Sequence, residues 1–286
     1  MTRIADLLAA GPTYSFEFAP PRSPEAEERL QKTLIELEPL QPSFVSVTYG
    51  AAGTTRDTTR RIVENIAHDT SMTPMPHLTC VAQTRSDVVD IVTGYRDAGL
   101  HNILALGGDP PLDDTIYPTD FHYARELIEV VKEVGDFSIG VAAFPEGHPR
   151  SPDRETDRHY LAEKLRAADF GITQFFFRVE DYFRMVDELA DIGVDTPVLP
   201  GIMAFVNVDG LRRMSAMNGT TIPDELQRRL DEASGEPRRV RELAVEVCTP
   251  LIGELLDGGA PGVHLYTLNF SRAAKEIWAN LGLGPE

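Results

Sequence analysis

The chain has 286 residues, 45 acidic against 27 basic, and its 42% apolar content is enough to bury the core of one large domain. Its net charge of −18, without a long basic stretch, excludes a surface that tracks nucleic-acid phosphates or anionic lipid. No segment approaches the roughly 18 apolar residues of a membrane span, and the first residues lack a signal-peptide core, so a soluble, cytoplasmic protein is expected.

In chain order, MTRIADLLAAG predicts a short N-terminal helix, followed by a strand over Tyr14 to Phe18. SPEAEERLQKTLIELEPL then reads as a helix, with Ser23 as N-cap and Pro24 at the first helical position. Further strands are expected at Phe44 to Gly50, Pro76 to Cys80, Asn102 to Gly108, Ser138 to Phe144, Ile172 to Phe177, Pro197 to Met203 and Val263 to Asn269. A helical pattern follows each of the earlier strands; RSDVVDIVTGYRDAG, for example, ends at Gly99 as a C-cap. Thr220 to Arg241 reads as an extra helix and turn before the eighth strand. The near-continuous apolar strands are those of a parallel sheet covered on both faces. Eight strand-helix units without a composition break predict a single α/β domain over residues 1–286, a (β/α)8 TIM barrel; a doubly wound open sheet is the runner-up.

Chemistry in such barrels gathers at the carboxyl ends of the strands. There the sequence places Glu17, Thr48, Tyr49, His77, Thr79, Asp109, Glu146, His148, Gln174, Tyr266 and Asn269. Polar side chains in apolar strands need partners, so together they point to a polar ligand or an internal network. Glu17, between Phe16 and Phe18, is expected to have a raised pKa suited to a general acid; the competing reading is a barrel glutamate paired with an arginine. Asp109 follows two glycines and precedes two prolines, which suits either a ligand contact or a plain turn. The single Glu146-Gly-His148 pair is weak evidence for a metal, and none is expected. Two cysteines, Cys80 and Cys248, exclude a disulfide framework and read as reduced core thiols. All the lysines fall in helical segments, which disfavours Schiff-base chemistry. Neither a Rossmann GxGxxG nor a P-loop occurs.

SFEFAPPR, FVSVTYGA, PHLTC, LALGGDPP, VAAFPEGHP, ITQFFF, PGIM and LYTLN, in this order and spacing, resemble the methylenetetrahydrofolate reductases of the bacterial single-domain type. The resemblance implies a flavin-carrying barrel that reduces 5,10-methylenetetrahydrofolate to 5-methyltetrahydrofolate with NADH or NADPH through FAD, supplying methyl groups for methionine synthesis. It implies Glu17 as the general acid that opens the folate ring, Asp109 as the carboxylate beside the pterin and flavin, and Gln174 and Tyr266 as substrate contacts. Thr48, Tyr49, Ala51, His77, Gly108, Asp109, Tyr117, His148, Asp157 and Lys164 match flavin-contacting positions. The chain departs from the family where Gly107 replaces an arginine, Phe144 a tyrosine, Ala19 a phenylalanine and Phe270 an arginine that reaches the folate tail. Gly107, Phe144, Ala19 and Val208, the last standing where an aromatic that helps cover the nicotinamide can occur, motivate an alternative, a folate reductase using deazaflavin or a directly bound nicotinamide; a third reading is a non-catalytic folate-binding paralogue. Homo-oligomer formation stays open.

Overall fold

The computed structural model describes residues 2–49, 56–108 and 119–284. Among these, the strands are β1 (Thr13–Phe18), β2 (Phe44–Val47), β3 (Pro74–Thr79), β4 (Asn102–Leu106), β5 (Ser138–Ala143), β6 (Phe170–Thr173), β7 (Val198–Leu199), β8 (Gly201–Met203) and β9 (Gly262–Tyr266). The helices are α1 (Ile4–Ala10), α2 (Pro24–Leu37), α3 (Arg56–Asp69), α4 (Arg85–Asp97), α5 (Ala124–Val134), α6 (Arg154–Ala167), α7 (Val179–Asp191), α8 (Val208–Asn218), α9 (Asp224–Ala233), α10 (Pro237–Asp257) and α11 (Ser271–Leu281). No helix among the described residues is long and apolar enough to cross a membrane.

All strand pairs are parallel, in the order β7-β6-β5-β4-β3-β2-β1-β9-β8. The two ends of that order are consecutive pieces of one stretch, so the sheet closes on itself as the predicted barrel. The predicted seventh strand is split at Pro200, which has no N–H for the ladder. Val198 and Leu199 pair with β6, Gly201 to Met203 pair with β9, and the Pro200 carbonyl accepts the His264 N–H at 2.9 Å. The sixth strand also differs from expectation, running over Phe170–Thr173 instead of Ile172 to Phe177. Beyond Gln174, Phe175 packs with Met203, Phe205 and the α8 to α10 helices, while Phe176 stacks on Tyr182 at 6.0 Å. Two adjacent aromatics drawn into separate clusters pull the chain off the ladder.

Local signals act as the sequence predicts. Ser23 caps α2 by accepting the Ala26 N–H at 3.2 Å, with Pro24 in the first turn. Gly99 follows α4 at φ +74°, a left-handed conformation that costs glycine little. The predicted extra helix before the last strand is α9, and a turn at Gly235 leads into α10.

Two apolar layers result. Phe16, Phe18, Val45, Val47, Ile103, Val141 and Val263 pack outward against the helices around Trp278, Tyr95 and Tyr182. Inside the barrel, Phe44, Met75, Leu104, Phe170, Ile172 and Leu199 form a floor, closed from below by Ile4 of α1. Polar side chains begin directly above that floor.

Candidate active site

Side chains alternate along a strand, so with Phe16 packed outward on Trp278, ring centroids 4.4 Å apart, Ser15 and Glu17 turn into the barrel. Sheet register sets Ser15 level with Phe44 and His264, and Glu17 level with Ser46 and Tyr266. Glu17 Oε2 accepts a hydrogen bond from Ser46 Oγ at 3.3 Å, and lies 3.3 Å from His77 Nε2 and 3.6 Å from His264 Nε2. His264 is fully buried, its Nδ1 2.7 Å from Ser15 Oγ and its Nε2 3.2 Å from Ser46 Oγ, while its ring stacks on Phe44 at 5.8 Å. The Glu17 side chain keeps 17% of its surface open.

Burial pushes the Glu17 carboxyl up, but the contacts with His264 and His77 outweigh it and hold the carboxyl at about 2. This reverses the raised value expected from Phe16 and Phe18, which face away from the carboxylate. Nor is an arginine the partner, as the competing sequence reading held: histidines and a serine occupy that place. Burial lowers the proton affinity of His264, opposed by the Glu17 carboxylate.

Around the same mouth, Thr79 Oγ1 and His77 Nε2 are buried without a hydrogen-bond partner. Gly108 takes φ +86°, and a Cβ there would meet Val81 at 2.5 Å; a Cβ on Gly107 would meet nothing within 4 Å. Gln174 Oε1 accepts from Asn218 Nδ2 at 3.0 Å, and Tyr266 donates to the Thr173 carbonyl at 2.5 Å. Burial raises the Tyr266 phenol well above its usual value, so it remains a donor.

A second polar group lies beyond β5. Asp157 accepts the His148 N–H at 3.0 Å and pairs with buried Arg158 at 2.7 Å, while Arg158 also donates to the Phe144 and Pro145 carbonyls. Lys164 donates to the Ala142 carbonyl at 2.9 Å, and burial lowers the pKa of its ammonium. Glu146 accepts the Thr221 N–H at 2.9 Å. No group of three or more His, Cys, Asp or Glu able to hold a metal occurs among the described residues.

With this geometry in view, the family model "Methylenetetrahydrofolate reductase" matches residues 2–282. The chain belongs to that family. It is 36% identical to the 5,10-methylenetetrahydrofolate reductase of Pectobacterium carotovorum subsp. carotovorum over 95% of this chain and 91% of that protein. It is 35% identical to the Escherichia coli (strain K12) protein of the same name, with the same coverage. Among solved structures, an uncharacterized protein from Clostridium thermocellum that binds two copies of 5-methyl-5,6,7,8-tetrahydrofolic acid shares the fold at TM-score 0.67 and 13% identity, covering 97% of both chains.

Of the residues that the reductase resemblance marks, Glu17, His77 and Tyr266 project into one polar layer, with Thr48, Gly108 and Gln174 just beyond their strands. His148 and Asp157 touch each other on the β5 side, where Lys164 donates to the Ala142 carbonyl. Tyr49 lies instead in the outer core, its hydroxyl accepting from Gln83 at 3.1 Å. Ala51, Asp109 and Tyr117 lie outside the described residues. Sequence reading missed Ser15, Ser46, His264, Arg158 and Asn218. For the first three the signal was present: they are polar residues at inward positions of otherwise apolar strands.

Proposed function

We propose that this member of the reductase family reduces 5,10-methylenetetrahydrofolate to 5-methyltetrahydrofolate, drawing electrons from NADH or NADPH through FAD and supplying methyl groups for methionine synthesis. The observation that carries the reading is a partly open carboxylate, Glu17, held among Ser46, His77 and His264 at the barrel mouth. A neutral methylene bridge is a poor hydride acceptor, and an iminium is a good one. Glu17 serves as the acid that protonates the departing ring nitrogen so that the C–N bond breaks toward nitrogen. Asp109 stabilises the resulting cation, and Gln174, held by Asn218, and Tyr266 orient the pterin.

The residues at the ring end fit a flavin: Thr79 Oγ1 is buried without a hydrogen-bond partner, and the backbone at Gly107 is open. Thr48, His77 and Gly108 would hold it there, with His148, Asp157 and Lys164 toward the diphosphate; Ala51, Asp109 and Tyr117 are the further contacts that the resemblance implies, while Tyr49, turned into the outer core, is not among them. When bound, it supplies the two-electron carrier between nicotinamide and folate. A second reading, a nicotinamide bound directly without flavin, is favoured by the engagement of Lys164 with the Ala142 carbonyl and by the missing arginine at Gly107. Visible absorbance of the purified protein, before and after adding FAD and then 5-methyltetrahydrofolate without oxygen, separates the two. Flavin bands that bleach with the folate support the first reading; a colourless protein that reduces methylenetetrahydrofolate with NADH alone supports the second. Under either, Glu17→Gln is expected to slow folate reduction by about 10² to 10⁴. Full turnover in that variant removes Glu17 from the chemistry.

A further inference from the structure

Below Glu17 lies a chain of groups sealed from solvent. Ser46 Oγ donates to Glu17 Oε2 at 3.3 Å, and Ser15 Oγ donates to the Val263 carbonyl at 3.3 Å. When His264 carries both of its N–H protons, the two hydroxyls donate to these other acceptors and turn their lone pairs to the ring, whose Nδ1 and Nε2 lie 2.7 Å and 3.2 Å from the two serine oxygens. A serine oxygen within hydrogen-bond distance of each ring nitrogen gives an imidazolium an acceptor for both N–H groups. Register fixes the set, since Ser15 pairs with His264 and Glu17 with Ser46. The ring is pinned by Phe44 beneath it, Tyr266 edge-on at 5.3 Å and the backbone bond to Pro200.

We propose that His264 is the positioning residue for Glu17: through Ser46 it holds the proton that Glu17 delivers to the folate, so that the two side chains titrate as one unit. The inference rests on the general-acid reading of Glu17. In the transfer, the His264 Nε2–H bond breaks and its proton passes to Ser46 Oγ. The Ser46 proton passes to Glu17 Oε2, and the Glu17 proton goes to the folate nitrogen, which takes the electron pair of the breaking C–N bond. His264 ends neutral. Reduction then uses the hydride of the nicotinamide, and one proton per turnover returns from solvent through the mouth, where Glu17 alone of this chain is partly open. Because Ser15 ends the chain at a backbone carbonyl, His264 is a store for one proton and not a conduit.

The titratable groups facing His264 are Glu17 on β1, His77 on β3 and Tyr266 on β9; Ser46 on β2 and Phe44 carry no charge. Tyr266 stays protonated throughout, which leaves Glu17 and His264 to set the profile. Wild-type folate reduction is expected to rise with acidity along a limb that follows the imidazole.

The test measures methylenetetrahydrofolate reduction against pH with saturating NADH and added FAD, in wild type, His264→Gln and Ser46→Ala. His264→Gln is expected to move the limb by about one pH unit or more toward the carboxylate range, a roughly tenfold rate loss on the neutral side, with the folate KM changed less than about twofold. Ser46→Ala moves it the same way, and decides alone if His264→Gln does not fold. A uniform loss with the limb unmoved in the folded variants overturns the proposal, as does an unchanged profile. Glu17→Gln, run alongside, separates the two readings: full folate reduction there removes the general acid itself, whereas its loss combined with an unmoved limb in the other variants removes only His264.

Discussion

Burial raises both thiols of this chain, Cys80 to about 11 and Cys248 to about 12, while Glu17, only partly open, is held at about 2. The difference is in what faces each group. Cys80 and Cys248 sit in the apolar core and donate to the backbone carbonyls of Gly107 and Met203, each at 3.3 Å, surroundings that stabilise thiol and not thiolate. We therefore expect no reaction of the native protein with a thiol reagent at about pH 8, and two reactive thiols once it is unfolded; a fast-reacting native thiol would overturn the burial argument. Glu17 instead meets two histidines contributed by other strands. That partnership was not legible in the sequence. Phe16 and Phe18 are its neighbours along the chain, yet they occupy the opposite face of the strand, and what surrounds the carboxylate comes from β2, β3 and β9. The motif SFEF locates the acid, but its environment depends on register between strands remote in the chain.

At the scale of elements, patterns confined to one segment were readable: the Ser23 cap, the glycine after α4 and the helix inserted before β9. What escaped is where strands change partner. PVLPGIM reads as one strand because its apolar run is continuous, but closing the barrel requires its first half to pair with β6 and its second with β9. Pro200 marks the change, and Gly201 makes it feasible. A Cβ on Gly201 would sit 2.1 Å from the Thr173 carbonyl oxygen and 2.7 Å from the Tyr266 ring, so the backbone of β6 and that ring approach only because no side chain is present. The Gly201 N–H is itself bound to Thr173 Oγ1 at 2.8 Å. Gly201→Ala is expected to destabilise the fold by about 1 to 3 kcal/mol, read from urea unfolding, and to raise the folate KM by displacing Tyr266. Wild-type stability and KM together would show that the seam tolerates a methyl group, contrary to this packing.

The whole molecule divides along the barrel axis into a sealed lower end and a chemical upper end. Asn102 Oδ1 accepts the Ile4 N–H at 2.8 Å and Ser138 Oγ accepts the Ala5 N–H at 3.0 Å, so the first turn of α1 is tied to β4 and β5 at the amino ends of the strands. Ile4, fully buried, fills the axis there against the Phe44 and Phe170 layer. That layer separates the plug from His264, which rests on the upper face of Phe44. Division of labour in barrels of this kind assigns stability to the lower face and catalysis to the upper. Ile4→Ala leaves a void that the surrounding strands cannot collapse to fill, because their spacing is fixed by the ladder, and it should cost about 2 to 5 kcal/mol in urea unfolding. Folate reduction by the folded fraction should keep its KM and pH limb, since Phe44 is fixed in the β2 ladder and packed on Phe170, so its position under His264 does not rest on Ile4 alone. A limb displaced by Ile4→Ala in fully folded protein would mean that the plug reaches the acid through the Phe44 layer, and that the two ends of the barrel are coupled.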